Sequence, residues 1–83
     1  MPMDEHELQK RAQQAFDQAN GSQQDVARTL GVNRSSVSRA LRNAGLKHAA
    51  MQARILSLLK GEAVEHRSIY DGKDVRHKWT MEK

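Results

Sequence analysis

Eighty-three residues make one domain, and a chain this short buries only about 60% of the surface its unfolded form exposes, which makes self-association a natural source of extra stability. No cysteine is present, so a disulfide framework and a thiolate metal site are both excluded. The apolar run at residues 55–59 is too short to cross a bilayer, and the N-terminus lacks the basic start and long apolar centre of a signal peptide, so a soluble, cytoplasmic protein is expected.

The formal charge of +4 is unevenly placed. Residues 1–20 carry a net −2, whereas residues 21–48 hold Arg28, Arg34, Arg39, Arg42 and Lys47 against Asp25 alone, a net +4. Such a concentration suits a polyanion, because neutralising phosphates supplies most of the non-specific affinity for DNA. A merely solvated basic face accounts for the same count.

The chain opens with a helical stripe, Leu8, Ala12, Ala15, Phe16 and Ala19, behind a capping pair formed by Asp4 and Glu7. Asn20-Gly21 supplies the stop. Ser22 then caps a short second helix carrying Val26, Ala27 and Leu30, with Asp25 at the end where the helix dipole favours an anion, and Gly31 ends it after about two turns. A third helix follows Val32, with Asn33 as its cap, and runs to about Asn43. Its inward face is Val37, Ala40, Leu41 and Ala44. Ser35, Ser38, Arg39 and Arg42 recur at i, i+3, i+4 and i+7 on the opposite face. That outward face is small, polar and cationic, which suits a DNA groove: serine permits close approach, and arginine can fork onto the O6 and N7 of guanine.

The segment QQDVARTLGVNRSSVSRALR resembles the helix-turn-helix reader of the lac repressor family, with Ala27, Gly31 and Val37 at its three most constrained positions. The constraints are physical: alanine lets the two helices approach, glycine takes the positive φ of the turn, and valine fills the space between them. Gly21, Leu30-Gly31, Arg34 and Ala44-Gly45-Leu46 are similar to the C-terminal domain of Fis-type proteins. Together the two resemblances cover about a quarter to a third of the chain, and neither covers its C-terminal half. No effector-binding domain follows the reader within these 83 residues, so control by a small-molecule effector is not implied. What the resemblance implies is that Arg34, Ser35, Ser38 and Arg39 face base edges, while Ser22, Gln23, Asn33, Ser36 and Arg42 touch phosphates. Arg28, within the motif, and Lys47, beyond it, are taken as further backbone contacts, although a surface cation is as often simply solvated.

A fourth helix, from about His48 to Lys60, carries Met51, Ile55, Leu58 and Leu59, more apolar surface than the second and third helices require. Two readings are open: a dimer seam, or packing on the first helix to complete a four-helix core.

Asp71-Gly72 between alternating residues signals a two-residue hairpin turn. With Tyr70 paired to Lys73, one face holds Val64, His66, Ser68, Tyr70, Val75, His77 and Trp79, while Glu65 lies across from Lys78 and Arg67 across from the like-charged Arg76. The segment reads as a wing on DNA, an arm pairing with another subunit, or a frayed polar tail. The expected fold is therefore mainly α: a helix-turn-helix bundle of about four helices over residues 1–61, reader at 23–42, with a C-terminal hairpin arm or tail over 62–83.

Catalysis finds no support, since there is neither a glycine-rich phosphate loop nor a nucleophile beside a base. Two histidines, His66 and His77, without a third ligand make a poor zinc site, and no cofactor or metal is expected. The functional expectation is a sequence-specific binder of double-stranded DNA, a small homodimeric repressor of the kind found in bacteria and phages, associated with the nucleoid. The alternative is an architectural or accessory DNA-binding protein in replication, partition or recombination.

Overall fold

The computed structural model describes residues 2–82. Four helices, α1 (Glu5–Gln18), α2 (Gln23–Leu30), α3 (Arg34–Arg42) and α4 (Leu46–Lys60), precede an antiparallel hairpin of β1 (Ala63–Asp71) and β2 (Asp74–Glu82). The fold is mainly α with a C-terminal β-hairpin, as the periodicity indicates.

The helix boundaries follow from their end groups. Asp4 caps α1 by accepting the Glu7 N–H at 2.8 Å, and this bond holds its carboxyl below the ordinary carboxylate value. The helix stops at Gln18, ahead of Asn20-Gly21, because Ala19 turns into the extended region while its N–H still reaches the Ala15 and Phe16 carbonyls. No left-handed residue is needed there. Ser22 and Asp25 form a reciprocal capping box on α2, Asp25 N–H to Ser22 Oγ at 3.1 Å and Ser22 N–H to Asp25 Oδ2 at 3.2 Å. The hydrogen bonds from Ser22 hold the Asp25 carboxyl low. Gly31 ends α2 at φ 70°, as the turn requires. The α4 helix begins at Leu46, two residues before the expected start, because Gly45 at φ 125° turns the chain sharply after α3.

Packing places α1 and α4 side by side as a middle layer between two clusters. On one side Ala12 and Ile55 pack with Val26, Ala27, Val37, Ala40 and Leu41 of the α2–α3 pair. On the other, Leu8, Ala15, Ala49 and Leu56 pack with Met3 and Trp79 at the base of the hairpin. This arrangement explains the apolar excess of α4. Adjacent residues Ile55 and Leu56 point into different clusters, so the helix is apolar on two sides because it is covered on two sides. Of the four residues assigned to a dimer seam, Ile55 is fully buried, Met51 and Leu59 pack against the chain's own core, and only Leu58 faces outward. Ile55 is therefore not available to a second subunit.

The hairpin extends farther than expected, and its register differs by two residues on β2. Tyr70 pairs with Val75, Asp71 with Asp74, and the loop is Gly72-Lys73. Centring the turn on Asp71-Gly72 requires positive φ at both residues. Among the described residues no non-glycine has positive φ, and Gly72, at 63°, serves as the first central residue, the position that type II′ turns reserve for glycine. Because the slip is an even number, every side chain keeps its expected face. The pairings change: Val64 meets Met81, His66 meets Trp79, Glu65 faces Thr80, and Arg67 faces Lys78 instead of Arg76. A cation still lies opposite a cation, and Arg67 turns instead to Glu65 on its own strand, at 3.3 Å. Gly72→Val is expected to destabilise the hairpin tip, since a β-branched residue strains at φ 63°. Amide exchange through residues 68–77 should quicken while exchange in α1 and α4 is unchanged; uniform protection in both proteins would count against this turn geometry.

The hairpin is attached and not a free tail. Trp79 is 2% exposed, and its N–H and C=O exchange hydrogen bonds of 2.9 and 2.7 Å with Met3. Its ring stacks on His66 with centroids 4.9 Å apart. The distal half projects, giving an elongated molecule of 42 × 26 × 19 Å.

Candidate nucleic-acid interface

The α2–α3 pair is joined by Gly31, Val32 and Asn33. Ala27 and Val37 lie at 1% and 0% exposure between the helices, the contact that the small and branched side chains were expected to make. Burial of Val37, Ala40 and Leu41 fixes the rotation of α3. Its opposite side is uncovered: Arg34, Ser35, Arg39 and Arg42 are exposed and Ser38 is half-buried. Ser36, also half-buried, lies on the flank of α3 that faces α4.

Three long side chains outside the motif hold it in place, and none was singled out from the sequence. Gln52 of α4, fully buried, donates both amide hydrogens, to the Ala40 carbonyl at 2.8 Å and the Asn43 carbonyl at 2.7 Å, so the end of α3 is capped from below. Gln9 of α1 donates to the Leu41 carbonyl. Arg54 of α4 donates to the Leu30 carbonyl at 2.8 Å, pinning the end of α2. The detectable signal for Gln52 was a polar residue on the helical face that also carries Ala49 and Leu56. Its Oε1 accepts no hydrogen bond, so the site is held by donors alone. Gln52→Leu removes both donors and leaves two carbonyls without them, an expected cost of about 1–3 kcal/mol. Thermal melts should show that loss; a neutral result would mean the α3 terminus is secured by Gln9 and packing alone.

The outer face of α3 carries cations and no carboxylate. The ion pairs among the described residues are Arg11–Glu7 and Arg67–Glu65. Arg28, Arg34, Arg39, Arg42 and Lys47 therefore have no carboxylate partner there, and all five are exposed. Arg42 makes only a long contact of 3.4 Å to the Ser38 carbonyl. The α3 N-terminus has no acidic residue in its first turn, and Asn33 occupies the cap position without a side-chain cap bond. The Arg34 and Ser35 amides are thus open to an external anion, while the Ser36 N–H donates to the Asn33 carbonyl at 3.1 Å. At α2 the corresponding position is filled by the Asp25 carboxylate, and the Ser22 hydroxyl already accepts the Asp25 N–H. Gln23 is half-buried at the start of α2, and Arg28 is exposed at its far end.

Lys47 reaches the reader from α4. It lines a cleft of about 240 Å³ with Ser36, Arg39, His48 and Met51, so the α3–α4 junction adds a second cation beside Arg39. His48 is a further member that the sequence pattern does not single out. Comparison with family models, curated proteins and solved structures gives no match to this chain.

Proposed function

We propose that the protein is a sequence-specific DNA-binding protein, a small homodimeric repressor that seats α3 in the major groove of an inverted repeat. The observation that carries this reading is the two-sidedness of α3: its inner face is locked by Val37, Ala40 and Leu41, while its outer face presents arginines and serines with no acidic neighbour. A helix of about 10–12 Å diameter fits a groove about 12 Å wide. Arg34, Ser35, Ser38 and Arg39 read base edges. Asn33 and the open amides of α3, with Ser22, Gln23, Ser36, Arg28, Arg42 and Lys47, contact phosphates on either side. Binding of this kind belongs at the bacterial or phage nucleoid, in keeping with a chain in which no described helix is long and apolar enough to cross a membrane.

Selection of bound duplexes from a random pool tests this. Recovery of two copies of one short motif, inverted and spaced by about 34 Å or a multiple of it, is the expected result. Recovery of no motif, with affinity depending on salt alone, would replace the repressor reading with an architectural one.

A further inference from the structure

The outer edge of β1 has no backbone partner among the described residues, whereas the outer edge of β2 is closed at its base by Met3. Trp79 spends both its N–H and C=O on Met3, so its cross-strand partner His66 must also direct its backbone groups away from the hairpin. At period two the same holds for Val64, Ser68 and Tyr70. An unpaired edge of this length is a template for another strand.

We propose that this edge is the homodimer interface: β1 of a second copy pairs antiparallel with β1 about a two-fold axis at His66, forming a four-stranded sheet. The proposal deepens the homodimer reading above and rests on it. Charge and strand overlap together select the register. An axis at Glu65 or at Arg67 sets that residue against itself, and an axis at Ser68 sets Glu65 against Asp71 of the second copy. An axis at Ile69 sets Arg67 against Asp71 but pairs only residues 67–71 of β1, whereas an axis at His66 pairs residues 63–69. The axis at His66 sets Glu65 against Arg67 of the second copy, twice by symmetry. The base that Glu65 touches among the described residues is Arg67 on its own strand, at 3.3 Å, and both side chains are exposed.

The same register gives an occupant to a groove between α4 and the hairpin. Tyr70 is 76% exposed and lies on the face of the sheet that carries Val64 and Trp79 toward the helices. In the second copy it falls beside Glu62, next to a groove of about 510 Å³ lined by Leu30, Ala53, Leu58 and Val64. Leu58, the one outward residue of the expected seam, is thereby covered by Tyr70 of the second copy and not by α4 of it.

Sedimentation of the full chain, free and with bound duplex, tests the surface. Glu65→Arg sets arginine against arginine across the axis, and Arg67→Glu sets glutamate against glutamate. Each variant alone should dimerise at least about tenfold more weakly than the unaltered chain. An equimolar mixture should recover the dimer, because the arginine introduced in one variant then faces the glutamate introduced in the other, and the unaltered Arg67 of the first faces the unaltered Glu65 of the second. Ser68→Pro provides an independent check, since it removes an N–H that points outward and leaves the β1–β2 ladder intact; it too should be monomeric, with unchanged helical circular dichroism. Variants that all dimerise as the unaltered chain does, or a mixture that stays monomeric, overturn this interface and leave the homodimer reading standing. An unaltered chain that is monomeric both free and on DNA removes both. A chain that dimerises as stated but selects no sequence removes the DNA reading and keeps the surface.

Discussion

Trp79→Ala is expected to cost about 3–5 kcal/mol, a large share of the roughly 5–15 kcal/mol that stabilises a typical domain. Three features converge on this residue. Its ring is 2% exposed in the cluster with Leu8, Ala49 and Leu56, it stacks on His66, and its backbone is bridged to Met3. Truncation therefore opens a cavity between the middle helical layer and the hairpin, and a long rigid strand pair cannot collapse into it. Lys73→Ala at the exposed loop should stay within about 0.5 kcal/mol and serves as the control. Denaturant titration of both variants measures the difference. A Trp79 effect under about 1 kcal/mol would mean that the hairpin is an appendage with its own marginal stability and not the lid of the second cluster.

Arg39→Ala is expected to cost about 1–3 kcal/mol on the preferred duplex and to relax the choice of base at one position. Arg39 projects from the middle of the open face of α3, beside the cleft it shares with Ser36 and Lys47. Arg28 lies on α2, the helix that crosses the DNA backbone in the docking proposed above. Its replacement by alanine should weaken all duplexes nearly equally and make the salt dependence shallower by about one unit. Titrations on cognate and scrambled duplexes at several salt concentrations separate the two behaviours. If Arg39→Ala lowers both affinities by the same factor, Arg39 holds phosphate and the reading face has been assigned to the wrong side chains.

Legibility differed sharply along the chain. The α2–α3 pair was readable because its determinants are local: Ser22 and Asp25 cap each other across three residues, Gly31 takes the left-handed conformation, and the period of Val37, Ala40 and Leu41 assigns the buried face. The supports of that pair were not, because Gln9, Gln52 and Arg54 act on carbonyls 32, 9 to 12 and 24 residues away. Nothing in a neighbouring residue signals a bond of that span.

The same division holds for α4 and the hairpin. Alternation determined which side chains share a sheet face, since faces have period two and survive a slip of two residues. Register depended on which residue could bear positive φ in the turn, and on Met81 and Trp79 finding Val64 and His66. Likewise the sequence by itself determined that α4 is too apolar for a helix covered on one side. What covers the surplus depends on where the hairpin lands, and tertiary packing covered the Leu56 side of α4 by closing Trp79 over Leu8 and Leu56 while leaving Leu58 outward. Periodicity is a property of one segment, whereas burial is a property of a pair, so the chain alone could state the need for a partner surface but not which surface meets it.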